Sequence, residues 1–362
     1  MLDQAWDRSH LDGRTTFMNR CHSFLVRTSL GWALAVTALP GIGCERRQKG
    51  FDEPLPQIVV AVYKGDVSAL VYLAHDKGYF NECGIRVVLK EYEAGKLATD
   101  DLVLGQADIS TAGEFVFIVN RAQHPELRVF GTVSVFRIDE LIGRRDHGIL
   151  KPADLKGKRV GVLQKATSEF FLGRFLELHL MSSEEVEIVF LNPSDIVDAL
   201  LSGRIDAGQT WDPNVYHLKR ELGDNTVVLL GQEDANLNAG INSEETFTLI
   251  ARERWLNENR EAAKRFLEGL LRAETYVARH PAETKEFMLQ RFGLQEDYVD
   301  YVFPKIDFVV GLTQKLILTM EDETRWAIQT GVIGEINVPD YLKSVYLEPL
   351  ADVRPEAVTV IR

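Results

Sequence analysis

The chain has 362 residues, 45% hydrophobic and 26% charged, with 54 acidic against 41 basic side chains and a net charge of −13. An acidic surface of this kind repels phosphate backbones and anionic lipids, which sets nucleic acid aside as a partner. Three cysteines do not make a disulfide framework, and a chain of this length buries enough core to fold without one.

The first stretch reads as a targeting segment. Residues Leu30 to Leu39 are apolar or small, Arg20 and Arg27 precede them, and Pro40-Gly41 breaks the run ahead of Cys44. A run of roughly ten such residues, where a spanning helix needs about 20, has the layout of a secretory signal peptide. Met18 is a start from which a signal of ordinary length would run, so residues 1–44 are expected to be the signal and 45–56 a tether. Beyond residue 44 the net charge is −14, because the first 44 residues hold four Arg and three acids.

Two patterns then each occur twice. "IVVAVYKGDVSALVYLAHDKGYF" runs from a β-branched strand, Ile58 to Tyr63, into a helix that stops at Gly78, and "KRVGVLQKATSEFFLGRFLELHL" repeats the move from strand Arg159 to Gln164. In "LVLGQADIST" a helix ends at Gly105 and Asp108 stands before a short strand; "LLSGRIDAGQT" does the same with Gly203 and Asp206. This alternation predicts two doubly wound α/β lobes, each with a mostly parallel sheet.

"VFGTVSVFRIDELIGRRD" predicts an extended crossing out of the first lobe, and "EETFTLIARERW" a crossing back. The expected division is residues 57–138 with 246–362 in one lobe and 139–245 in the other, joined by a two-strand hinge that suits closure around a ligand. Farther on, Ala263, Leu267 and Leu271 in "REAAKRFLEGLLRAETYVARH" recur at helix spacing, so the later helices complete the first lobe.

Ligands of open parallel sheets gather beyond the carboxyl ends of the strands. That rule selects Lys64, Asp66 and Ser68, then Thr111, Gly113, Glu114 and Phe115, in the first lobe. In the second it selects Lys165, Thr167 and Ser168, then Trp211 and Asp212. Thr167 and Ser168 open a helix and either cap it or bind an oxyanion, which Glu169 beside them would repel. Asp66, Glu114, Glu169 and Asp212 against Lys64 and Lys165 tilt the cleft away from a bare anion and toward a ligand with an amine or ring nitrogen. Trp211, with Tyr63, Phe115 and Tyr216, offers aromatic surface for a flat molecule. There is no Gly-rich phosphate loop, no pair of histidines at metal-ligand spacing and no Gly-x-Ser-x-Gly turn, so neither catalysis nor a cofactor nor a metal is expected.

The stretches "AHDKGYFNECGIRVVLKEYEAG", "LVLGQADISTAGEF", "LKGKRVGVLQKATSEFF" and "ALLSGRIDAGQTWDP" together resemble the periplasmic solute-binding proteins of nitrate/sulfonate/taurine-type ABC importers, a superfamily shared with pyrimidine-precursor binders of thiamine synthesis. The similarity runs over roughly residues 55 to 345 in consistent order. It implies a monomeric, bilobed periplasmic-binding-protein fold that takes a small polar molecule, sulfonate/taurine-like or aminopyrimidine-like, into the cleft and presents it to an ABC permease and its ATPase. Separately, Gly43-Cys44 after the apolar run resembles a bacterial lipoprotein signal, which implies that Cys44 carries a lipid anchor and that the protein sits in the periplasm or at the outer face of the cytoplasmic membrane. Two alternatives stay open: a sensor of the same fold without a transporter, and a pyrimidine-forming enzyme, whose cysteine-rich motif this chain lacks.

Overall fold

The computed structural model describes residues 55–231 and 244–361. The signal segment, Cys44 and most of the tether lie outside the described residues. In chain order the strands of the two large sheets are β1 (Gln57–Tyr63), β2 (Arg86–Tyr92), β3 (Ile109–Gly113), β4 (Leu127–Phe136), β5 (Asp139–Arg144), β6 (Arg159–Val162), β7 (Glu187–Phe190), β8 (Ala207–Trp211), β9 (Thr226–Leu230), β10 (Glu245–Arg252) and β11 (Ile306–Asp307). The helices are α1 (Ala69–Asp76), α2 (Tyr79–Glu82), α3 (Gly95–Val103), α4 (Glu114–Arg121), α5 (Thr167–Leu178), α6 (Pro193–Leu201), α7 (Asn214–Leu222), α8 (Glu253–Glu258), α9 (Arg260–Arg279), α10 (Pro281–Phe292), α11 (Glu296–Val302) and α12 (Gln314–Gln329).

Two sheets carry the architecture. One has the order β11-β4-β10-β3-β1-β2 and the other β7-β6-β8-β5-β9. Within each, three strands are parallel, β2-β1-β3 and β7-β6-β8. These come from the duplicated strand–helix units, and their central strands are apolar on both faces because helices cover both. The sheets are not mostly parallel as expected. The crossing segments join them antiparallel: β10 lies between β3 and β4, and β5 between β8 and β9. A chain that leaves one sheet, builds another and returns runs against the local strand direction on both passages.

The repeated aspartates explain why the two halves share a sequence grammar. Asp108 Oδ2 accepts the Val59 amide of β1 at 2.8 Å, and Asp206 Oδ2 accepts the Arg159 amide of β6 at 2.9 Å. Each carboxylate ties the start of the third strand of its unit to the start of the first, and satisfies an amide at the sheet end. Asp206 also receives the Arg159 guanidinium, which holds its carboxyl well below the usual carboxylate range. Glycines 78, 105 and 203 adopt φ of 75°, 76° and 77° where their helices end, a conformation that costs a residue with Cβ about 1 kcal/mol or more.

The first sheet packs against α9, whose Ala263, Phe266, Leu267 and Leu270 are buried in the same cluster as Val60, Phe130 and Leu249. The second sheet has a core on each face, with α6 and α7 burying Ile196, Leu200, Val215 and Leu218 on one of them. On the other face, α5 meets residues from the opposite half of the chain. Phe115 of α4 stacks on Phe170 of α5 at 5.5 Å, and Trp326 of α12 lies 5.8 and 5.2 Å from them. Phe115, expected in the cleft, is thus a core residue that fastens the two halves together, and it is 0% exposed. Phe115→Ala removes that contact and leaves a cavity that three packed elements cannot collapse to fill; chemical denaturation should show a loss of about 3–5 kcal/mol.

Candidate functional site

The crossing strands decide where the chemistry sits. Because β10 and β5 run antiparallel to β3 and β8, their first residues lie at the carboxyl edges of the parallel strands: Phe247 pairs with Gly113, and Asp139 with Trp211. Glu245 pairs with Phe136 across the two crossings. Asp139 and Glu245 are therefore brought together at the point where the chain passes between the sheets. Both line the cavity found there, with Tyr63, Val67, Lys96, Gly113, Val116, Phe136, Ile138, Leu163, Thr167, Ser168 and Trp211 among its other residues. The cavity volume is about 40 Å³, room for a few waters and less than an organic ligand fills, so binding one requires the cleft to widen.

The expected site residues fall into two groups. Gly113, Thr167, Ser168 and Trp211 line the cavity. Trp211 Nε1 donates to the Tyr63 hydroxyl at 3.1 Å, which joins the aromatic walls contributed by the two sheets. Thr167 and Ser168 do not cap α5: Thr167 Oγ1 donates to Glu245 Oε1 at 2.7 Å, and Ser168 Oγ to the Leu163 carbonyl at 3.4 Å. At Gly113, an added Cβ would stand 1.8 Å from Glu245 Oε1, so only glycine lets the backbone come this close to the carboxyl.

The remaining residues are placed around the cavity without lining it. Lys64 is exposed and pairs with Glu91 at 3.0 Å. Lys165 is half-buried, and its amide donates to Glu169 Oε2 at 2.6 Å. Thr111 accepts the Tyr63 amide at 3.1 Å, a backbone role, and Ser68 is buried in the turn ahead of α1. Asp66 accepts from the Val67 amide and from the Tyr298 hydroxyl. Asp212 accepts the Tyr216 amide at 3.1 Å and stands 3.7 Å from Lys305 Nζ. Glu114 accepts the Thr246 amide of β10 at 2.8 Å.

Tyr63, named from the sequence only as aromatic surface, also accepts the Trp211 indole N–H at the cleft, and sequence reasoning missed Asp139 and Glu245 altogether. The loop rule looks only beyond the ends of parallel strands, whereas these two acids open antiparallel ones. A charged residue at the first position of an otherwise apolar strand was the available signal.

Electrostatically the cavity is unbalanced. Glu114, Asp139, Glu245 and, from α12, Glu323 are all buried, and among the described residues none of the four has a Lys or Arg within ion-pair distance. Burial raises all four carboxyls, and their mutual repulsion raises Glu114, Asp139 and Glu323 further. Glu245 is pushed up to about 7 by burial, opposed by its hydrogen bonds with Thr167 and Asp139. Asp212 is likewise raised to about 7 and Asp66 to about 6, in both cases chiefly by burial.

In the folded protein these acids hold protons that the unfolded chain releases above its ordinary carboxylate range. Stability is therefore highest near pH 5 and falls as pH rises toward 8. For Glu245 alone the move from 4.5 to about 7 corresponds to roughly 3 kcal/mol. Thermal unfolding of the ligand-free protein should show a lower melting temperature at pH 8 than at pH 5, with the difference reduced in Glu245→Gln; a melting temperature that rises over this window would contradict the electrostatic picture.

Comparison with known proteins places this geometry in a family. A binding protein of Brucella abortus is 25% identical over 260 residues, which cover 71% of this chain and 76% of the relative. The taurine-binding periplasmic protein of Escherichia coli is 27% identical over 163 residues, 45% of this chain and 51% of the relative. Among solved structures, the alkanesulfonate-binding protein SsuA of Xanthomonas axonopodis pv. citri bound to MOPS superposes with a TM-score of 0.69 at 18% identity, over 82% of this chain and 99% of that one. The desulfurization enzyme DSZB has the same fold, at a TM-score of 0.61 and 15% identity over 82% and 98% of the two chains. Among the described residues no helix is long and apolar enough to cross a membrane. The family profile described as NMT1/THI5 like matches residues 67–284, and the chain, with its two sheets bridged by crossing strands, belongs to that family.

Proposed function

We propose that this protein is the extracytoplasmic ligand receptor of an ABC importer, binding a small polar molecule between its lobes and handing it to a permease. The observation that carries the reading is the cavity itself: it sits at the two strand crossings, and its walls come from both sheets, with Tyr63 and Gly113 on one side, Asp139, Thr167 and Trp211 on the other, and Glu245 at the crossing between them. A ligand there touches both halves at once, so binding free energy is gained only when the halves are together, which couples occupancy to closure. The lobes that move are residues 57–138 with 246–362 and residues 139–245. The relatives named as binding proteins support this role, and the desulfurization enzyme that shares the fold defines the competing one. The chain is read as a binder: a bound compound is expected back unchanged after prolonged incubation with the protein.

Trp211 and Gly113 give the first tests. Trp211→Ala removes the aromatic wall and the hydrogen bond to Tyr63, and should weaken the bound ligand at least about tenfold by calorimetry, in keeping with stacking on an aromatic face. Gly113→Ala forces the Glu245 carboxyl to move and should weaken binding comparably while the protein still folds. Wild-type affinity in both variants would remove the ligand from this cavity. The membrane side is tested separately: with Cys44 lipidated, two acyl chains hold the protein on the membrane, and Cys44→Ser should release it to the soluble fraction of the envelope.

A further inference from the structure

Resting on the receptor reading, the charge distribution of the cavity narrows what the receptor takes. The acids that a ligand meets are Asp139 and Glu245, set among the apolar surfaces of Val116, Phe136, Ile138, Leu163 and Trp211, with Lys96 the one basic side chain among the described residues of the lining. Behind them Glu114 and Glu323 add two more buried carboxyls, and Glu323 Oε2, in a residue only 3% exposed, has no hydrogen-bond partner. The cations that stand near are taken by other acids. Lys96, which lines the cavity, pairs with Asp100 at 2.8 Å, and both Arg137 and Lys315 pair with Glu244. Thr167, the hydroxyl suited to an oxyanion, spends its proton on Glu245.

An anion desolvated in this space meets four buried carboxyls, and Lys96, the one cation among the described residues lining the cavity, is already paired with Asp100, so both its burial and its neighbours oppose it. A cationic ligand reverses each term: it takes the place of the protons the carboxyls hold as their counter-charge, and offers charge-assisted N–H···O bonds to acids already fixed in place. Among the described residues no three His, Cys, Asp or Glu side chains are grouped to hold a metal ion, so the occupant is one whose N–H groups reach separate acceptors. We infer that the cleft binds a compact organic cation, an amine or amidine, with its N–H groups on Glu245 and Asp139 and its apolar body against Trp211.

The test is titration calorimetry of the purified full-length protein at pH 7.5 with five probes: benzamidine, 2-phenylethylamine, benzenesulfonate, taurine and zinc chloride. The expected result is binding of benzamidine or 2-phenylethylamine and no binding of benzenesulfonate, with affinity for the cation reduced at least tenfold in Glu245→Gln and in Asp139→Asn. Both variants keep the side-chain shape and remove mutual repulsion, so thermal unfolding should show them folded; Glu323→Gln, one step behind the cavity, should weaken the cation less than either. Binding of benzenesulfonate or taurine with no response to the two amines overturns the inference and leaves the receptor reading standing. Binding of zinc alone also overturns it. If none of the five binds, both the inference and the receptor reading of this cleft fall together.

Discussion

Everything at the candidate site depends on the antiparallel pairing of the two strands that pass between the sheets. Placing β10 between β3 and β4 carries Glu245 to the carboxyl edge of the first parallel set, and placing β5 beside β8 carries Asp139 to that of the second. Two acids from sequence positions more than a hundred residues apart are then close enough to share a hydrogen bond, with Thr167 as a third partner. The ladder that holds the crossing together brings the carboxyls to one place, and their hydrogen bonds to each other and to Thr167 fix them there.

That arrangement sets stability against function. Four buried carboxyls without ion-paired cations are a burden on the folded state at neutral pH, which the protein meets by keeping some of them protonated. The surrounding core offsets the cost. Phe115, Phe170 and Trp326 clamp α4, α5 and α12 beside the cluster, and α9 packs the first sheet from behind. Buried acids with shifted titration concentrated where a ligand can meet them are a usual mark of a binding site.

The family resemblance and the local charge pull in different directions on the ligand. The named relatives include proteins for taurine and alkanesulfonates, and their fold is shared. Fold similarity at 18% identity fixes the scaffold and leaves the lining free to vary, because the two-sheet frame needs only the duplicated strand–helix units and the crossing strands. Substrate class is then a matter of a few side chains at the crossing.

What the sequence determined by itself was the frame. Alternating strand and helix patterns, the helix-ending Gly78, Gly105 and Gly203, and the paired Asp108 and Asp206 are local or near-local signals, and each is visible without knowing which strand pairs with which. The loop rule also put Gly113, Thr167, Ser168 and Trp211 at the cavity, because parallel strands present their following loops at one edge. Only the tertiary structure decided the rest. It sent Phe115 into the core, turned Asp66, Glu114 and Asp212 to neighbouring amides, and assembled Asp139, Glu245 and Glu323 into one acidic cluster. The physical reason is that the order of strands in a sheet, and so which end of a crossing strand meets which edge, is set by pairing across long sequence separations that no local periodicity records.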